Sequence, residues 1–341
     1  MSPFDPAQGE PEHTGGSISS EEPGFPGSFS PEVAEPARVI PARRRKFQSR
    51  VLFHAVLFLL TLAMTTYVGT FHYLAFLEEF ERYRVQFHSG LFVTGLWYSG
   101  TILAILGAHE MGHYLLCRRY DVDATLPYFI PAPLPLTGTL GAVIKIREAF
   151  PTRRALFDIG IAGPIAGFVV LVPTLFIGLG LSKIVPEPTT TNLISLGEPL
   201  LFQWATALMF GEVPAGHTIN MHPMVFAAWF GMLATALNLL PFGQLDGGHI
   251  TYAALGRWST PISLATVGGA VLMTFVSSSW VFMTVMMLVM LLMLGPRHPR
   301  VIYEHEPIGA GRNWLAVLAL VILAICFTPV PIEPYDLIRN P

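Results

Sequence analysis

The chain has 341 residues, of which 52% are hydrophobic and 13% charged, with a formal net charge of -3. Soluble globular proteins carry about 25% charged residues, so this chain lacks the polar surface of a soluble monomer. The near-neutral balance gives no footprint for nucleic acid. Two cysteines, Cys117 and Cys326, exclude a disulfide scaffold and a four-cysteine metal site.

Residues 1–42 hold eight prolines, seven acidic residues and a single arginine, with apolar residues scattered without period. Such a segment cannot bury enough surface to offset its ordering entropy, and it is expected to be a disordered tail. A basic cluster follows, and from there the chain reads as a polytopic membrane domain over 43–341. A span needs about 20 apolar residues. Seven segments approach that length: about 51–70, 91–117, 155–182, 223–242, 261–278, 280–295 and 314–330. The predicted class is an all-α polytopic membrane protein with about seven transmembrane helices and a small membrane-associated β element. With the N-terminus in the cytoplasm, the inner segments carry 15 Lys and Arg and the outer ones four. The positive-inside rule favours that orientation.

The β element is predicted between the second and third spans. Pro127, Pro131, Pro133 and Pro135 forbid a helix there. From Gly138 to Ile146 the chain alternates, with Leu140, Ala142, Ile144 and Ile146 on one face. A period of two predicts a short strand, with an ordinary apolar loop as the alternative.

The second span ends in His109-Glu110-Met111-Gly112-His113. Four residues of helix turn through about 400°, so His109 and His113 share one face and can hold one zinc ion between them. Glu110 can reach a zinc-bound water as general base. A third protein ligand is needed. Asp246 follows the fourth span and has no acidic neighbour in sequence between Glu212 and Glu304. His249 competes with it.

The His109–His113 motif, together with Asn238-x-x-Pro241-x-x-x-x-Asp246-Gly247, resembles the site-2 protease family of intramembrane zinc metalloproteases, peptidase family M50. The stretches Gly138–Ile144 and Asp158–Phe168 are similar to the branch with plant chloroplast and bacterial members. The likeness covers about 90–260, the expected catalytic core. It implies an intramembrane zinc endopeptidase, cleaving within or near transmembrane segments of membrane-protein substrates in a lipid bilayer. It implies one Zn2+ per chain on His109, His113 and Asp246, with Glu110 catalytic. Asn238, and Gly141, Val143 and Ile144 of the strand, would bind substrate. Many relatives insert a PDZ domain between the third and fourth spans, and the segment 183–222 is too short for one. A bacterial cytoplasmic membrane is the expected location, with the active-site side cytoplasmic. The rival readings are a metal or proton transporter, which would need ligands along the whole membrane depth, and an inactive scaffold, which would need a lost ligand or a lost Glu110.

Overall fold

The computed structural model describes residues 46–80, 82–188, 194–295, 301–304 and 306–334. The expected tail over 1–42 lies outside them. The described chain is mainly helical. It opens with α1 (Val51–Glu78), a short α2 (Leu91–Thr94) and α3 (Leu96–Arg119). Inside the apolar α1, the hydroxyls of Thr61, Thr65 and Thr70 each donate to the carbonyl four residues earlier. Their polar groups are thus satisfied within the helix, as a low-dielectric setting demands.

Next comes the hairpin β1 (Tyr128–Pro131) and β2 (Thr139–Val143), an antiparallel pair. The predicted strand is present over Thr139–Val143, so Ile144 and Ile146, expected in it, lie beyond its end, and its pairing also differs. Gly141 pairs with Ile130 and Thr139 with Pro131, so Leu140 is an extra residue, a bulge. Gly141 supplies the backbone angle for it, with φ at +107°. The bulge turns Leu140 out to 65% exposure while Ala142 stays buried at 8%. The expectation that Leu140 shares the face of Ala142 fails for this reason.

Helix α4 (Arg153–Gly180) packs against α3. Thr152 caps its N-terminus by accepting from the Ala155 N–H at 3.1 Å. The segment 183–222, expected as a loop, contains β3 (Lys183–Pro186), β4 (Ile194–Leu196), α5 (Leu200–Phe210) and β5 (His217–Asn220), with β3 and β5 antiparallel. Then follow α6 (Pro223–Leu239), α7 (Asp246–Leu255), a turn of 3-10 helix, α8 (Ser259–Met273), α9 (Ser279–Leu294), α10 (Ala310–Cys326) and β6 (Ile332–Pro334), which pairs with β4. Helix α4 also contacts α6 and α7 and so sits among the three helices that carry His109, Glu110, His113, Asn238 and Asp246. Leu156, Phe157, Leu171, Val225 and Trp229 are buried between these helices.

Among the described residues, three helical segments have the length and hydropathy to cross a membrane: Val51–Glu78, Leu91–Arg119 and Arg153–Gly180. A 28-residue helix is about 42 Å long, beyond the ~30 Å hydrocarbon core. The other four expected spans coincide with α6, α8, α9 and α10. These run to 17 residues at most, about 26 Å.

Candidate metal centre

The site is assembled from three helices. His109, Glu110 and His113 lie in the C-terminal half of α3, and all three are buried. Asp246 opens α7, reached by a sharp chain reversal after α6. In that reversal Gly243 has a φ of +52°. Glycine is also needed at 247 and 248, where a Cβ would meet the Leu239 carbonyl oxygen at 2.1 Å and the Gly243 carbonyl oxygen at 2.3 Å. The reversal folds α7 back on the end of α6 and aims the Asp246 carboxylate at α3.

His109 Nε2 lies 3.1 Å from Asp246 Oδ2, His113 Nε2 lies 3.3 Å from Asp246 Oδ1, and the two Nε2 atoms are 3.1 Å apart. Among the described residues this is the one group of three His, Cys, Asp or Glu whose ligand atoms converge, all within 4.8 Å. Tetrahedral zinc with bonds of about 2.0–2.1 Å sets its ligand atoms roughly 3.3 Å apart, and the two Nε2 atoms, each beside one oxygen of the same carboxylate, lie close to that separation. Asp246 Oδ2 is buried without a hydrogen-bond partner, a costly state that a cation relieves. Burial opposes ionisation of Asp246, but the two facing imidazoles outweigh it and hold the carboxyl below the usual carboxylate range. The donor set therefore fits a zinc ion.

His113 Nδ1 donates to the Ile159 carbonyl of α4 at 2.6 Å. With the proton on Nδ1, Nε2 presents its lone pair to the cluster, the usual support for a ligating imidazole. Sequence reasoning missed this carbonyl, because any residue type can supply one. Glu110 Oε1 stands 3.9 Å from His109 Nε2, and its carboxyl faces the backbone N–H of Ile144. Asn238 Nδ2 is 3.5 Å from His109 Nε2. His249 is elsewhere. It packs its ring against Phe150 at 5.6 Å and lies outside the converging group. His217 and His222 also lie outside that group. His222 caps α6, its Nδ1 accepting from the Met224 N–H at 3.3 Å.

A cavity of about 260 Å³ opens beside His109 and Glu110. Gly141 and Val143 of β2, Asn238 of α6 and Met283 of α9 are among its walls. Of the four expected substrate contacts, three thus border it, and Ile144 approaches through its backbone.

Comparison with known proteins agrees with this geometry. The chain is 30% identical over 247 residues to the probable zinc metalloprotease EGY1, chloroplastic, of Arabidopsis thaliana, covering 67% of this chain and 42% of that one. It is 28% identical over 247 residues to the probable zinc metalloprotease EGY2, chloroplastic, of Oryza sativa subsp. indica, covering 69% and 43%. The chain thus spans under half the length of these curated relatives. No solved structure matches it. The family model for peptidase family M50 matches residues 97–283, which hold all of the converging side chains. By that match, over more than half of its length, the chain belongs to peptidase family M50.

Proposed function

We propose that this protein is a membrane-embedded zinc endopeptidase that hydrolyses peptide bonds within or near transmembrane segments of other membrane proteins. The observation that carries the reading is the convergence of His109, His113 and Asp246 beside the Glu110 carboxyl, at one end of a cavity. The relatives' names as zinc metalloproteases support it.

In this reading His109, His113 and Asp246 hold one zinc ion, which supplies Lewis-acid polarisation and lowers the pKa of water toward ~7. Glu110 accepts the proton of the attacking water and delivers it to the leaving amine. The Asn238 side-chain N–H₂ donates to the substrate carbonyl oxygen. A transmembrane helix has its backbone bonds internally satisfied, so a scissile bond is reached only after local unwinding. The exposed edge of β2, with Gly141, Val143 and Ile144, offers the unwound stretch a pairing partner.

Seven spans with the basic 117–154 loop on the active-site side complete the proposed topology. The relatives are named as chloroplastic and lend no support to a bacterial cytoplasmic membrane. The reading is therefore confined to a membrane with the basic loops kept on the side of synthesis. The candidate ligand atoms converge within 4.8 Å rather than being strung along a pathway, which favours hydrolysis over transport.

The test is Glu110→Gln, nearly isosteric but unable to accept a proton. Purified in detergent, it should keep about one zinc per chain and lose cleavage of a model transmembrane substrate by at least ~100-fold. Cleavage at the wild-type rate would overturn the reading.

A further inference from the structure

The cavity beside Glu110 continues well past the catalytic residues. On α6 its wall includes Gly231, Ala234, Thr235 and Asn238, spaced i, i+3, i+4 and i+7 along one helical face, with Leu237 beside them. On α3 the wall runs from Glu110 back to Ile105, and on α9 it comprises Met283, Met286 and Met287. Helices α3 and α6 both carry their polar wall residues toward their C-terminal ends. The polar groups His109, Glu110 and Asn238 therefore collect at one end of the groove. The other end is apolar.

Thr235 does not break that pattern. Its hydroxyl donates to the Gly231 carbonyl at 2.8 Å, so the helix backbone occupies the donor. Among the described residues, no Lys, Arg, Asp or Glu other than Glu110 lines the groove. A charged substrate side chain there would be desolvated without a partner. Seven residues of helix measure about 10 Å, the length of roughly three residues of extended chain. Ala234 of α6 and Met283 of α9 both line the groove. Alanine leaves the α6 side of the groove open, and the unbranched methionines of α9 adapt to different shapes.

We propose that Ala234 and Met283 determine the size of the substrate side chain accepted in an apolar subsite, which runs from the catalytic centre toward the N-terminal half of α6 and takes about three residues on one side of the cleaved bond. The occupant is the unwound substrate, because the groove is continuous with the catalytic group at its polar end. The inference rests on the endopeptidase reading above.

The experiment uses the full chain in detergent with a panel of transmembrane substrates. Each substrate carries Ala, Leu, Phe or Lys at one of the three positions on either side of the cleaved bond. Wild type should accept Ala, Leu and Phe and reject Lys at least ~100-fold in kcat/KM, at positions that all lie on one side. Ala234→Leu should lower kcat/KM for Leu and Phe substrates by at least ~10-fold and spare those with Ala. Met283→Ala should shift preference the other way, toward Phe. Each variant's zinc content should match wild type. A loss of equal size across the panel, or unchanged preference in both variants, would overturn the subsite assignment while leaving the endopeptidase reading intact. A wild-type enzyme that cleaves none of the panel would overturn both.

Discussion

Gly163 stands where a methyl group would overlap the imidazole of His113: a Cβ at that position lies 2.0 Å from Nε2. The ring has nowhere to retreat, because its other nitrogen is bound to the Ile159 carbonyl one turn earlier on α4. A helix that is otherwise a packing element thus sets the position of a candidate metal ligand from two points four residues apart.

Gly163→Ala should therefore lower zinc affinity, with a cost in stability from the overpacked contact. Disturbing the support of a metal-ligating histidine typically costs 10–100-fold in affinity, and a steric clash with the ligand atom should reach at least that. Titration with a zinc indicator reads the constant, and circular dichroism reads the helix content, which should stay as in wild type. Gly100→Ala is the control, since a Cβ there meets nothing within 4 Å.

The identity of the third ligand separates Asp246 from His249. Asp246→Ala should lose zinc and activity together, because two imidazoles remain and the charge-neutralising carboxylate is gone. Asp246→Asn keeps an oxygen without the charge and should hold zinc weakly. His249→Ala should keep zinc and most of the activity. Elemental analysis of the purified variants decides the matter, and full zinc in Asp246→Ala beside loss in His249→Ala would reverse the assignment.

Proline at Ile144 removes the backbone N–H that faces Glu110 and distorts the end of β2. Cleavage should fall by at least ~10-fold while zinc stays near one per chain. Wild-type turnover by a folded, zinc-loaded Ile144→Pro variant would show that the strand edge takes no part.

The acid stability of the protein should depend on His222. Burial pushes its imidazole down to about 4, below the ~6.5 of an unfolded chain. As the pH falls from ~6.5 toward 4, the unfolded chain takes up a proton that the folded one refuses, so stability drops across that window. The effect is at most about 3 kcal/mol. His222→Asn retains a capping side chain for α6 and should flatten this acid limb. Melting in detergent at several pH values between 7 and 4 compares the two slopes, and equal slopes would exclude His222 as the source.

Much of the site was legible in the sequence because its chemistry depends on rare residues at helical spacing. His109 and His113 sit four apart on one helix, and an acidic residue as isolated as Asp246 draws notice in an apolar chain. The strand over 139–143 was legible from its period of two. The bulge at Leu140 was not, since it depends on how Gly141 pairs across the hairpin. The Ile159 carbonyl and the Gly163 clearance were hidden for a related reason: backbone atoms and missing side chains leave no signature of what they face. Helix α5 was missed because eleven residues fall short of a span, and its surroundings read as a loop.

The reversal between α6 and α7 works as a caliper. Gly247 and Gly248 are wedged against carbonyls of Leu239 and Gly243, so the jaws carrying Asn238 and Asp246 keep a set opening. A substitution at the exposed Gln244 leaves that opening unchanged. A one-residue insertion does not: it shifts Gly247 and Gly248 off the carbonyls they seat against and moves the Asp246 carboxylate away from two histidines that have not moved. The number of residues in this segment is therefore as much a part of the candidate metal centre as the three side chains that point into it.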